Sequence, residues 1–361
     1  MQNAIIMIDN EKDEFSDFLN LTFAKVYDMY TKIYFNNYED LNITNKELEN
    51  SILVLPSSLN EKKRELIITS LNFDKKNVYI YDINKLSYIY TSKVDNIDGV
   101  ISNYLDYYWI DKIQIPIAIH CNLKCNRCYH FSNLQAEEKF YDLEQYKKDI
   151  NNINKLGFKI FEFRFLGGEP LLCDDILDYI KYTKQIYPYS NMKIITNGIL
   201  LLLLSKSEEF LKELSRLNIS ISISLYPPMM KRINEVESRL MKNGVSYEIF
   251  RLGDRFNKIL NENESTDFED VAKECEKCII IYNGVISRCA PSIFINIFNN
   301  KFQYNYPETN KEITSFKSRK LVLKYIDRPV ELCKYCSGDS NPVSFKWEST
   351  PKEISPNDYI R

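Results

Sequence analysis

The sequence predicts an α/β chain built as a barrel or partial barrel, with a small α/β domain ahead of it and a cysteine-rich domain behind. Strand-like and helical runs alternate five times between Ile113 and Arg251. A shorter alternation precedes them, in a stretch with no glycine before Gly99. The rhythm stops at the polar linker Asn261–Asp267, after which five of the cysteines follow. The expected divisions are residues 1–105, 106–262, 263–345 and a tail over 346–361.

In the first domain Ala4–Ile8 is an apolar strand and Glu14–Tyr30 has helical spacing. Lys32–Phe35, Ser51–Leu55 and Asn77–Tyr81 read as strands, and Glu61–Leu71 as a helix. Alternation of this kind implies a parallel sheet. The missing glycines exclude a dinucleotide-binding turn, which needs them to approach pyrophosphate. A phosphate-receiving aspartate is also missing, because the strand ending at Leu55 runs into Pro56. The strand–helix order is not that of a winged helix.

The second domain's strands are Ile113–Ile119, Phe158–Phe165, Met192–Thr196, Ile219–Leu225 and Val245–Arg251. Helical spacing fills Leu143–Leu156, Asp174–Ile186, Ser207–Leu217 and Met230–Lys242 between them. In barrels the chemistry gathers at the C-terminal ends of the strands. The last residues, from Lys346, carry proline and charge and read as a short helix or a loose tail.

Composition narrows the function. The 361 residues are 44% hydrophobic and 27% charged, an ordinary globular mixture. A net charge of -3 gives no electrostatic footprint for nucleic acid. The N-terminus shows no basic segment followed by an apolar one, and the longest apolar run, Ile199–Leu204, is too short for a bilayer. The expectation is a cytoplasmic protein with neither nucleic-acid nor membrane partners. Nine cysteines in that compartment are not a disulfide framework. Eight fall into three groups, 121/125/128, 275/278/289 and 333/336, while Cys173 stands alone as a core residue. With only His120 and His130, a His-rich metal site or a Ser-His-Asp triad has little room.

Cys121-x3-Cys125-x2-Cys128 follows the first barrel strand directly. Three thiolates so close in sequence can hold three corners of an iron–sulfur cube and leave the fourth iron open. A zinc knuckle would need a fourth ligand nearby, and none is there. Gly167-Gly168-Glu169-Pro170 ends the second strand, where glycine permits close backbone approach and proline stops the strand. Thr196-Asn197-Gly198 ends the third. Ser220, Ser222 and Ser224 alternate with isoleucines, so all three hydroxyls share one face of the fourth strand. Arg251 ends the fifth, either at a site or at the surface.

Further on, Asn283-Gly284 marks a two-residue hairpin. Its register pairs Tyr282 with Val285 and, counted outward, Cys278 with Cys289, whose Cβ atoms would stand about 5 Å apart. Cys333-x2-Cys336 brings two more thiols. Four thiolates, Cys278, Cys289, Cys333 and Cys336, can close around a second cluster, with Cys275 as the alternative to Cys278. A structural zinc site would use the same four.

The Cys-x3-Cys-x2-Cys loop followed by Gly-Gly-Glu-Pro resembles the radical S-adenosylmethionine (SAM) superfamily, from the first barrel strand almost to the end of the chain. The resemblance implies a partial (β/α)6-type radical SAM barrel, with a [4Fe-4S] cluster on Cys121, Cys125 and Cys128. The open iron would chelate SAM, and reductive cleavage would give a 5′-deoxyadenosyl radical that takes hydrogen from a substrate. It further implies that Gly167, Gly168, Glu169 and Pro170 hold the SAM amine, largely through backbone carbonyls. Asn197, Ser222, Ser224 and Arg251 would also contact SAM. One position departs from the pattern: many members carry an aromatic residue where Arg127 stands, with Tyr129 and His130 following. The C-terminal cysteines look like the auxiliary [4Fe-4S] domain of the twitch and SPASM enzymes, of the shorter, single-cluster twitch type. Ser-x-Tyr-Pro (224–227) and Cys-x-Tyr-Cys (333–336) suggest members acting on sugars or cell-surface compounds. The expected activity is therefore radical chemistry on a small polar, sugar-like substrate, fed by a flavodoxin- or ferredoxin-type donor under anaerobic conditions. The alternatives are maturation of a ribosomally made peptide and, more remotely, a non-catalytic zinc protein.

Overall fold

In a computed structural model the described residues are five N-terminal elements and residues 109–361, without 189, 203–206, 251–254, 267, 276–277 and 339–342. The chain forms two compact units, Met1–Tyr107 and Tyr108–Arg361. In the first, β1 (Ile5–Ile8), β2 (Lys32–Phe35), β3 (Ile52–Pro56) and β4 (Val78–Tyr81) form one sheet in the order β2-β1-β3-β4, with α1 (Glu61–Ser70) between β3 and β4. Every pairing is parallel, as the alternation predicts. The helix expected over Glu14–Tyr30 lies outside the described residues.

In the second unit β5 (Trp109–Ala118), β6 (Lys159–Gly167), β7 (Asn191–Thr196), β8 (Ser220–Ser224) and β9 (Tyr247–Phe250) lie side by side in chain order, all parallel. The helices between them are α2 (Leu143–Lys155), α3 (Ile176–Ile186), α4 (Glu208–Arg216) and α5 (Ile233–Lys242). Period 2 sorts the strands' two faces. Ile113, Phe163, Ile194 and Ile221 enter one core with Ile150, Ile180, Leu211 and Leu240 of the helices. Each such fully buried side chain contributes about 2 kcal/mol. The opposite face is polar: Glu162 pairs with Arg164 and Lys193, and Lys193 also with Glu248. This is the partial-barrel arrangement that the alternation predicts.

Two connections depart from a simple six-strand count. The strand after β9, β10 (Arg255–Asn257), leaves this sheet and pairs antiparallel with β14 (Ser344–Lys346). A sixth parallel strand, β11 (Ile280–Tyr282), joins the opposite edge beside β5. It turns at Asn283-Gly284 into β12 (Val285–Ser287), with Tyr282 opposite Val285 as the turn chemistry predicts. Asp149, buried on α2, anchors this turn by accepting from the Gly284 amide at 2.6 Å.

Beyond α6 (Phe268–Glu274) and the hairpin comes a helix not read in the sequence, α7 (Ala290–Phe302). Its Ile and Phe residues favour strands as readily as helices and mask the helical spacing of Ser292, Asn296, Asn299 and Asn300. Phe298 sits among Phe131, Tyr306 and Tyr359, with ring centroids 5.5 to 5.8 Å away. β13 (Lys311–Glu312) and α8 (Arg319–Asp327) complete the unit. The last residues are not loose, since Tyr359 and Ile360 are buried in the same cluster as α7. Among the described residues no helix is long and apolar enough to cross a membrane.

Candidate functional site

The cysteine loop leaves β5 at its C-terminal end and returns through Phe140, which bridges to Ala118. Three of its residues, Lys124, Arg127 and Phe131, are left-handed (φ 42°, 60° and 52°). For side chains other than glycine this costs roughly 1–3 kcal/mol each, so surrounding contacts must impose it. The end of β6 supplies some. Gly168 donates to the Ala118 carbonyl at 2.7 Å and Glu169 to that of His120 at 3.1 Å. A Cβ on Gly168 would stand 1.9 Å from the His120 oxygen, and one on Gly167 2.2 Å from the Ala118 oxygen. Both glycines are thus required by backbone meeting backbone beneath the loop.

Glu169 is fully buried. Its carboxylate accepts from the Leu171 amide (3.0 Å), the Thr196 hydroxyl (2.7 Å) and the Asn197 amide (2.9 Å). It therefore ties the end of β6 to the end of β7, while Pro170 opens a buried 3-10 turn. Asn197 reaches back to the loop, donating to Asn122 Oδ1 at 2.8 Å and to Cys121 Sγ at 3.7 Å.

A cavity of about 150 Å³ lies above these strand ends. Cys121, Cys125 and Cys128 line it together with Gly167, Gly168, Asn197 and Ser224. Ser222, one pleat lower, hydrogen-bonds Glu248 on the polar face of the sheet. Arg251 lies outside the described residues. Among the lining residues that carry no assignment from the sequence are two aromatics, Tyr226, just past β8, and Phe256 of β10, stacked with centroids 5.9 Å apart. Tyr226 stands in the Ser-x-Tyr-Pro segment at a strand's C-terminal end, and that position was the available signal. Phe256 gave none. His130 lines the cavity too, with Nε2 buried and unpartnered. Burial pushes its imidazole down to about 4, so it is neutral.

Each of the three sulfurs has a hydrogen-bonding neighbour. The Leu123 amide donates to Cys121 at 3.4 Å and the Trp347 indole to Cys125 at 3.1 Å, while the Ser132 hydroxyl meets Cys128 at 3.1 Å. Burial pushes the Cys121 and Cys125 thiols up to about 12. Free thiolates are therefore disfavoured here, whereas a metal deprotonates the thiols it binds. Among the described residues no three His, Cys, Asp or Glu side chains converge on a single ion. Three thiols on one cavity wall fit three corners of a four-iron cube.

Arg127, at the position where the motif usually has an aromatic residue, is buried. Nη1 reaches Glu348 at 2.6 Å and Nη2 reaches Asp358 at 3.3 Å, and Phe345 lies 4.1 Å under the guanidinium.

Cys275, Cys333 and Cys336 lie near Cys289 at the start of α7, and Cys173 lies in the barrel core. Cys289 caps α7, Cys333 lies in the 3-10 turn Glu331–Tyr335, and Cys336 follows that turn. Burial pushes the Cys289 thiol up, and Cys336, Cys333 and Cys275 act on it further through their charge. The hairpin ladder ends at the pair Ile280–Ser287, two residues short of Cys278.

Residues 115–242 match the Radical SAM superfamily. The chain is similar to a probable GTP 3′,8-cyclase of Methanococcus aeolicus, 24% identical over 63% of this chain and 80% of that protein. It is likewise similar to a GTP 3′,8-cyclase of Clostridium botulinum, strain Okra, 27% identical over 70% of this chain and 85% of that one. The match to the enzyme of Limosilactobacillus fermentum is 34% identical but spans only 36% of that protein and 34% of this chain. Among solved structures, BtrN in complex with AdoMet and 2-DOIA aligns with a TM-score of 0.43 at 17% identity, covering 64% of this chain and 94% of that one. Streptococcus suis SuiB bound to its precursor peptide SuiA aligns at 0.28 and 14%, over 52% of this chain and 51% of that one. The chain carries a radical SAM domain. It is a radical SAM enzyme, whose cofactors are a [4Fe-4S] cluster and SAM.

Proposed function

We propose that Cys121, Cys125 and Cys128 hold the SAM-binding cluster and that the enzyme abstracts hydrogen from a small polar substrate. When bound, cluster and SAM supply a 5′-deoxyadenosyl radical on receipt of one electron from a flavodoxin- or ferredoxin-type donor. The observation that carries the reading is the single cavity on which the three thiols meet the ends of β6, β7 and β8. Gly167, Gly168, Asn197, Ser224 and Tyr226 line that cavity and would hold SAM. Glu169, spent on three internal hydrogen bonds, keeps those strand ends in register. The neutral imidazole of His130 leaves one unpartnered nitrogen for a ligand.

The auxiliary cluster would rest on Cys289, Cys333 and Cys336. Cys275 takes the fourth place, because its charge acts on Cys289 while Cys278 sits beyond the end of the ladder. A small substrate is favoured over a peptide by the N-terminal sheet, which is wholly parallel and so unlike a winged-helix peptide-recognition module. The polar face of the barrel sheet, with Glu162, Arg164, Lys193 and Glu248, suits a hydroxylated or charged compound. Because the relatives are named for a reaction of GTP, purine nucleotides are the first substrates to screen, followed by sugars.

The test is anaerobic reconstitution with iron and sulfide, then SAM and a strong reductant. About eight irons per chain and 5′-deoxyadenosine support two clusters and radical chemistry. About four irons with cleavage would convert the C-terminal cysteines to a zinc or structural site. A folded, colourless protein holding zinc and cleaving no SAM would sink the proposal.

A further inference from the structure

We infer that the C-terminal segment Ser344–Ile360 is a working part of the SAM-cluster site, and that the Trp347 indole tunes the cluster by hydrogen-bonding the Cys125 sulfur. The inference rests on the assignment of Cys125 as a cluster ligand.

Two independent sets of contacts carry it. The first is mechanical. Each left-handed residue of the cysteine loop is held by this one segment. The Lys124 carbonyl accepts both the Thr350 amide at 2.9 Å and the Thr350 hydroxyl at 2.7 Å. Arg127 is gripped by Glu348 and Asp358 and lies over Phe345. Phe131 packs on Tyr359 with ring centroids 5.6 Å apart. Backbone joins backbone as well, with the Asn126 amide on the Glu348 carbonyl at 3.0 Å and a bridge between Cys125 and Ser349. The loop's unfavourable dihedrals are thus imposed from outside it.

The second is electronic. Trp347 Nε1 stands 3.1 Å from Cys125 Sγ. Indole N–H can only donate, and a metal-bound thiolate can only accept, so the bond's direction is fixed. A donor on a ligand sulfur withdraws charge from the cluster, favours the reduced state and raises its potential. Cys121 and Cys128 take their neighbours from nearby strands or from the loop itself. Cys125 takes its side-chain donor from a residue 222 positions away. Phe345, under the Arg127 guanidinium, lies in β14 and is held by its pairing with β10, and Trp347 follows that strand directly.

The test is a redox titration of anaerobically reconstituted full-length W347F, followed by EPR, reading only the signal that changes when SAM is added. The midpoint potential of that signal should fall relative to wild type, with iron content unchanged. The double variant E348Q/T350A should instead release iron to a chelator several-fold faster, at a potential close to wild type. Should W347F fail to fold, wild-type protein labelled with indole ¹⁵N provides the second readout. The chain has two tryptophans; the other, Trp109, opens β5 at the end of the strand away from the cysteine loop. Pulsed EPR should therefore find one nitrogen coupled to the reduced, SAM-responsive cluster. An unchanged potential in W347F at full iron, or no coupled nitrogen, would overturn the inference while leaving the three-ligand reading intact. A wild-type protein without any SAM-responsive signal would overturn both.

Discussion

The cysteine loop after β5 and the cysteines around α7 are both gathered by long-range folding, but they are finished differently. In the loop, three thiols line a cavity and the backbone is held in left-handed turns by neighbours on two sides. Around α7 the thiols come from separate short pieces of chain: Cys289 is extended, Cys333 lies in a 3-10 turn with Cys336 just after it, and Cys275 acts on Cys289 through its charge. One arrangement leaves a corner for a ligand to enter. The other brings further thiols near Cys289. Under the proposed ligand assignment this difference separates a reacting centre from an auxiliary one, although both use the same residue type.

The largest test of this contrast removes the loop's thiols together. The C121A/C125A/C128A variant should retain about half the iron and lose all SAM cleavage. Full iron in that variant would break the assignment of three ligands to the loop. Next comes a pair of glycines, one from each region. G168A forces a Cβ to within 1.9 Å of the His120 carbonyl, whereas G284A meets only the Gln145 amide at 3.6 Å. Denaturant unfolding should show a loss of about 3 kcal/mol for G168A and about 1 kcal/mol for G284A. Equal losses would mean that the loop is no more tightly constrained than the hairpin.

A finer division lies within the second set. C275A should lose the auxiliary iron yet still cleave SAM, and C278A should keep both clusters; the reverse outcome in iron analysis would return Cys278 to the ligand set. The smallest effect is expected at Glu348. Arg127 and Asn126 hold its carboxyl below the usual range by hydrogen bonding, but its side chain is 54% exposed. E348Q should therefore cost only about 0.5 kcal/mol. A depressed carboxyl stabilises the fold above its unfolded pKa, and that contribution fades as pH falls through the folded one. The difference between wild type and E348Q in unfolding experiments should vanish in acid. A difference that persisted there would mean the contact is not ionic.

Much of the barrel and its site was legible because the signals are local. Alternating strands and helices marked β5 to β9, the thiol spacing marked the loop, and Asn283-Gly284 set the hairpin register. What escaped depends on distance along the chain. Nothing near Arg127 announces that Glu348 and Asp358 neutralise it, and nothing near Lys346 announces a strand that pairs with β10. Counting outward from the turn sets Cys278 opposite Cys289, but the ladder stops two residues before it, so the register does not decide between Cys275 and Cys278. Ser222 and Ser224 share a face by period 2, but only depth along the strand tells that one meets Glu248 and the other the cavity. The helix over Ala290–Phe302 is dense in Ile and Phe, residues that favour strands as readily as helices, and they mask the helical spacing of its polar residues.

The separation of 221 residues between Arg127 and Glu348 sets a timetable for biosynthesis. At usual translation rates the ribosome needs roughly 10–40 s to travel from one to the other. For that interval the nascent loop has its three thiols and its contacts with the ends of β6 and β7, but none of those made by Ser344–Ile360. A frameshift or proteolytic clip just before Trp347 would therefore leave a domain with all three loop thiols present and one of the two sets of contacts around them missing.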